Sequence, residues 1–131
     1  MLTKEELGVG CEINMSAYSK KITEILLSLG IYPKYAGFNY LKEAVLYAAV
    51  NPKAIGNLTK ELYPAVAVRL QTSVSKIQSG IRNVLEVVNE RGQIKKLNYI
   101  FGFTVVGDYD RITSGEFIAL LSNELTFSKI L

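Results

Sequence analysis

The sequence has no histidine, no tryptophan, one cysteine (Cys11) and three prolines among 131 residues. Without histidine the chain lacks the commonest general base and metal ligand, and the one side chain that titrates unperturbed near neutrality. A lone Cys11 cannot build a disulfide framework or a cysteine-rich zinc site. Long apolar runs are missing too. The most apolar stretch, Leu97 to Gly107, is 11 residues long, well short of the ~20 that span a bilayer. The opening MLTKEELGVGC is acidic and lacks the basic-then-apolar order of a signal peptide. These absences predict a cytoplasmic protein with Cys11 reduced, no membrane partner and no cofactor. Nor is there a phosphate-cradling glycine loop, a nucleophile–base pair or a spaced pair of acids, so no enzyme is expected. The aspartates stand together in Gly107-Asp-Tyr-Asp110, which reads as a plain turn and not as a metal site.

What is present fits one globular domain: 49% hydrophobic and 21% charged residues. The net charge of +3 is unevenly spread. Residues 1–18 carry Lys4 against Glu5, Glu6 and Glu12, a local −2, which leaves +5 on the remainder. Between Glu61 and Glu86 lie Arg69, Lys76 and Arg82 with no acid among them. A basic zone of this kind suits a phosphate-lined partner.

Hydrophobic spacing is helical nearly throughout. Ile22, Ile25, Leu26 and Leu29 share one helix face, and Gly30 is a natural stop. Leu41, Ala44, Val45 and Ala48 repeat the pattern until Asn51-Pro52 ends it. Asn57 is the expected cap of a third helix carrying Leu58 and Leu62, which Pro64 must kink or restart. Val74, Ile77, Ile81, Val84, Leu85 and Val88 then form a four-turn stripe ending at Arg91-Gly92. Thr72, Ser73 and Ser75 are its cap candidates, and Ser75 with Gln78 fits a capping box. Gly80 inside this helix costs about 1 kcal/mol relative to alanine; close packing is expected there, with the preceding helix as neighbour. Ile94, Leu97, Ile100 and Phe101 predict a short helix, and Phe103–Val106 an extended connector or lone strand. Thr113-Ser-Gly-Glu116 is a second capping box, opening a helix with Phe117, Ile118, Leu120, Leu121 and Leu125.

A short helix, a polar turn over Leu70–Val74 and a long capped helix make a helix-turn-helix. With Ile77, Ile81, Val84 and Val88 inward, the second helix turns Ser75, Lys76, Gln78, Ser79, Arg82, Asn83 and Glu86 outward. Gln and Asn pair with adenine, Arg and Lys with guanine or phosphate, and Ser with either. The candidate DNA-binding set is Arg69, Thr72, Ser73, Ser75, Lys76, Gln78, Ser79, Arg82 and Asn83. The competing reading is a protein-interaction bundle, because any amphipathic surface helix has a polar outer face.

The runs Leu62-Tyr-Pro-Ala-Val-Ala-Val-Arg-Leu70, Thr72-Ser-Val-Ser-Lys-Ile-Gln-Ser-Gly-Ile-Arg-Asn83 and Glu86-Val87…Arg91-Gly92 resemble one known family. It is the C-terminal effector domain of sporulation stage 0 protein A. Flanking blocks agree in order: Gly37-Phe-Asn-Tyr-Leu41 with Glu43-Ala44, Phe101-Gly-Phe-Thr-Val105 and Ser114-Gly-Glu-Phe-Ile-Ala119. The resemblance covers roughly residues 20–128. It implies an all-α domain of about six helices with a central helix-turn-helix, winged-helix-like in the manner of response-regulator effectors. It also implies binding to short boxes in double-stranded DNA, with a homodimer on tandem sites, and contact with the RNA polymerase sigma factor through Arg91–Phe101. Arg91, Gly92, Lys95 and Lys96 are the sigma-contact candidates that follow.

Departures from the family pattern sharpen the expectation. The family usually has Arg where this chain has Lys76, Glu-Arg where it has Gln78-Ser79, and His where it has Asn83, while Arg82 matches. Lys95-Lys96 replace residues that tend to be neutral or acidic. The family's phosphorylatable receiver is also missing, and residues 1–18 hold neither the length nor an aspartate for one. The chain is therefore expected to be a stand-alone, receiver-less regulator of altered box specificity, with residues 1–18 an N-terminal arm and residues 19–131 the effector domain. The alternative is an interaction module or antagonist that binds a full-length regulator or sigma factor in place of DNA.

Overall fold

The computed structural model describes the backbone of residues 4–107 and 110–130, and the side chains of residues 16–107 and 110–124. The side chains of Cys11 and Leu125, and Asp108 altogether, lie outside the described residues. Six α-helices make the domain: α1 (Lys4–Ser28), α2 (Ala36–Val50), α3 (Tyr63–Arg69), α4 (Val74–Glu90), α5 (Lys96–Phe101) and α6 (Ser114–Ile130). The described residues contain no strand, and so no β-wing; Phe103–Val106 is a connector of successive bends and not the lone strand.

The turns follow from the residues that close each helix. At the end of α1, Gly30 takes φ 85°, the Gly30 N–H donates to Leu27 O and the Ile31 N–H to Leu26 O. That 6→1 closure tucks Ile31 into the core. Helix α2 ends at Val50, before Asn51-Pro52, and a 3-10 turn runs from Pro52 to Asn57. Asn57 makes no side-chain cap. Instead a π-helical turn over Leu58–Leu62 widens the chain, and Pro64 sits in the first turn of α3, where its missing N–H costs nothing.

Helix α2 is the central strut, touching α1, α4 and α6. Ile22, Leu26, Leu41, Val45, Ile77, Ile81, Leu97, Phe117 and Leu121 are buried together around it. The neighbour of Gly80 is α2, not the preceding helix. A β-carbon on Gly80 would stand 2.7 Å from the Tyr40 ring, and one on Gly37 would run into the Gly80 carbonyl and the Val84 methyls.

Two asparagines fasten the long connector between α5 and α6. Asn98 accepts from the Val105 and Val106 N–H groups and donates to Val106 O, at 2.7–2.8 Å. Asn89 of α4 accepts from the Ile112 N–H and donates to Ile112 O, both at 3.0 Å. Gly107 N–H donates to the Asp110 carboxylate, so this part of the connector closes locally. Thr113 and Glu116 form the reciprocal capping box at the start of α6.

Candidate nucleic-acid interface

Helices α3 and α4 are joined by the four residues Leu70–Ser73. The turn is a 6→1 closure of α3: the Thr72 N–H donates to Ala67 O and the Gln71 N–H to Val68 O. Gln71 occupies the left-handed position at φ 54°, where glycine is usual. Ser73 then caps α4, its hydroxyl accepting from the Lys76 N–H at 3.2 Å. Ser75 and Gln78 therefore form no capping box. The cap lies two residues earlier, at Ser73, whose backbone is extended as a cap requires, φ −99° and ψ 155°. This releases Ser75 to the outer face.

Ile77, Ile81, Leu85 and Val88 of α4 are buried, while Val74 and Val84 are half-buried at the margins. Leu85 thus replaces Val84 in the fully buried stripe. Opposite it, Ser75, Lys76, Ser79, Arg82, Asn83 and Glu86 are exposed, and Gln78 is half-buried. At 3.6 residues per turn Ser75, Ser79, Arg82 and Glu86 form the middle of this face. Lys76 and Asn83 lie on one flank, and Gln78 lies on the other. Thr72 is half-buried in the turn, and Ser73 is spent on the cap.

Arg69 lies at the last turn of α3, its guanidinium 2.7 Å from the Glu43 carboxylate of α2. Their side chains are unequally exposed, 71% against 17%, so Arg69 remains open to a ligand while Glu43 is set into the fold. Burial raises the Tyr63 phenol above its usual value, while its hydrogen bond with Ser114 and the charge of Arg82 both act against that rise. Arg82 is therefore close enough to the α3–α6 junction to be felt there.

The residues singled out beyond α4 divide between core and surface. Ile94 and Leu97 are buried, whereas Arg91, Lys95 and Lys96 are exposed and Gly92 takes φ 68°. Lys96 Nζ donates to Ser28 O of α1 at 3.2 Å. Sequence reasoning missed this link, and it missed a groove of about 580 Å³ between the α1–α2 turn and the second half of α4. Its walls come from three separate segments, which no single helical period brings together.

This arrangement has a counterpart among known domains. A family model described as "Sporulation initiation factor Spo0A C terminal" matches residues 22–125. The chain belongs to that family. It is accordingly a DNA-binding regulatory domain of the sporulation response-regulator effector type, and the family is not one of enzymes. No helix among the described residues is long and apolar enough to cross a membrane.

Proposed function

We propose that α4 reads the DNA major groove and that the protein is a sequence-specific transcription regulator whose box differs from the family's usual one. The observation that carries this reading is the outer face of α4. Across its first three turns Ser75, Lys76, Ser79, Arg82 and Asn83 are exposed, and no acid intervenes before Glu86. Arg82 and Lys76 would contact guanine or phosphate, Gln78 and Asn83 base edges, and Ser75 and Ser79 the bases nearest the helix start. Arg69, Thr72 and Ser73 would lie along the backbone, close to the α4 N-terminus, an end that favours phosphate. Altered specificity is supported by Gln78-Ser79, which lack the guanidinium the family usually presents. Arg91, Gly92, Lys95 and Lys96 are the corresponding candidates for sigma-factor contact. Their basic character suits an acidic counterpart.

The experiment is selection of a site from random DNA, followed by titration of Arg82→Ala and Gln78→Ala across salt concentrations. Loss of a phosphate contact should weaken all sequences alike and reduce the salt slope by about one unit. Loss of a base contact should relax one position of the selected site. If selection enriches no site and binding stays indifferent to sequence, the reading fails.

A further inference from the structure

Four helices of the domain close on a residue of positive φ. Three of these residues are glycines: Gly30 after α1, Gly92 after α4 and Gly102 after α5, at φ 85°, 68° and 80°. Helix α3 closes on Gln71 at φ 54°, the one non-glycine residue of positive φ among the described residues. In the left-handed region a β-carbon crowds the following carbonyl oxygen, and glycine meets no such cost. The turn between α3 and α4 therefore holds a side chain at a position that glycine fills everywhere else.

Nothing inside the fold accounts for that side chain. Gln71 is exposed, its backbone N–H donates to Val68 O at 3.2 Å, and its side-chain amide has no hydrogen-bond partner among the described residues. It caps neither neighbouring helix, since Ser73 caps α4. The corner around it is open as well: Val68 is 79% exposed and the Arg69 side chain 71%. Strain kept at a residue whose side chain the fold does not use points to a contact outside the chain.

We infer that Gln71 is a further DNA-contact residue, its side-chain amide donating to a phosphate oxygen at the edge of the groove that α4 enters. This contact rests on the major-groove reading of α4. In a helix-turn-helix the second helix lies in the groove while the first crosses the backbone, which brings the turn between them to the phosphates. A neutral donor suits that place, because glutamine is among the side chains that hold phosphate and fix register without reading sequence. Its signature differs from that of Arg69, two positions earlier: an amide neutralises no phosphate and releases no counterion. A base contact fits less well. Gln71 precedes Val74, the first residue of α4, by three positions, and the face assigned to bases begins at Ser75.

Anisotropy titrations of Gln71→Gly, Gln71→Glu and Arg82→Ala test the contact, on the duplex that the wild-type chain selects from random DNA and on a scrambled duplex, each at several salt concentrations. Gln71→Gly should unfold in urea at the wild-type midpoint or above it, since glycine relieves the left-handed strain. It should nevertheless bind both duplexes roughly 3- to 10-fold more weakly, the range of one neutral hydrogen bond, with the salt slope unchanged. Gln71→Glu keeps the shape of the side chain but sets a carboxylate against phosphate, and should bind more weakly still. Wild-type affinity in Gln71→Gly, a loss confined to the selected duplex, or a reduced salt slope would overturn the contact. Arg82→Ala separates it from the reading beneath it. If Arg82→Ala weakens binding and Gln71→Gly does not, the Gln71 contact alone falls. If the wild-type chain selects no site and Arg82→Ala binds as wild type does, the groove reading falls and the contact with it.

Discussion

Gly37 and Gly80 lie against each other where α2 crosses α4, with the Gly37 Cα 3.7 Å from the position a β-carbon on Gly80 would take. This approach fixes the height of α4 on the strut that organises the core, and with it the outward rotation of Ser79 and Arg82. The two glycines are not equally sensitive. A methyl at Gly37 meets a backbone carbonyl and both Val84 methyls, none of which can yield easily. A methyl at Gly80 meets the edge of the Tyr40 ring, at 2.7–2.8 Å, and Tyr40 is half-buried with room to turn outward. Gly37→Ala should therefore cost at least the 1–3 kcal/mol typical of an overpacked core. Gly80→Ala should cost less, since alanine recovers about 1 kcal/mol of helix propensity. Urea denaturation of the two variants side by side checks the order.

Arg69 and Glu43 make a second prediction, because the pair is open on one side only. An ion pair this exposed contributes roughly 0–1 kcal/mol to folding, so Glu43→Gln should leave the unfolding midpoint nearly unchanged. Its effect on DNA should be larger. The Glu43 carboxylate competes with phosphate for the guanidinium and repels the backbone that Arg69 would meet. Removing its charge should strengthen binding and steepen the salt dependence by up to about one phosphate equivalent. Arg69→Ala should do the opposite on every sequence tested. Fluorescence anisotropy at several salt concentrations reads both, and a Glu43→Gln variant that binds more weakly would assign the carboxylate a positioning role instead.

The capping box of α6 sets a pH dependence. Hydrogen bonds from the Thr113 backbone and side chain hold the Glu116 carboxyl below its usual range. A carboxylate whose folded value is depressed stabilises fully above its unfolded value, near 4.3, and this contribution disappears as pH falls through the lower folded value. Glu116→Gln should thus be less stable than wild type at pH 7, and the difference should shrink to nothing in acid. Thr113→Ala removes the reciprocal bond and should cost about 1 kcal/mol at neutral pH. Thermal unfolding from pH 7 down to pH 3 measures both.

Much of this architecture is legible in the sequence because local signals agree with packing. The apolar spacing of Ile22–Leu29 and Val74–Val88, the Asn51-Pro52 break and the Thr113–Glu116 box each specify their element without help from elsewhere. What the sequence conceals is relational. Ser73, Ser75 and Thr72 are equally good caps on paper, and the choice among them is made by the closure of α3 through Gln71, a residue with no glycine-like signature. The partners of Gly80 come from α2, 40 or more positions earlier, so adjacency in sequence points to the wrong helix. Asn89 and Asn98 look like ordinary polar residues of helical segments, yet they hold the connector that carries Val105, Val106 and Ile112 onto the core. At the interface, the outward residues of α4 follow from the stripe alone. The buttress Glu43 and the groove beside Asn83 need the three-dimensional contacts.

The proposed change of box can be tested by reversing the substitutions that suggest it. Ser79 lies in the middle of the exposed face of α4, and Gln78 on its half-buried flank; the family usually has Glu-Arg at these positions. Neither side chain caps a helix, since Ser73 supplies the cap of α4. The double change Gln78→Glu with Ser79→Arg should therefore fold with little loss of stability, since surface substitutions away from caps and core generally stay within about 0.5 kcal/mol. Its DNA preference should move. An arginine at position 79 supplies a bidentate guanine contact worth about 1–3 kcal/mol of discrimination against other bases. Selection from random DNA should enrich a guanine at one position where the wild-type chain is indifferent. The single Ser79→Arg variant should gain most of that preference, because glutamate at position 78 offers only an acceptor and tunes the neighbouring base. If wild type and both variants select the same site, α4 does not read bases through this face, and the specificity must arise elsewhere on the domain.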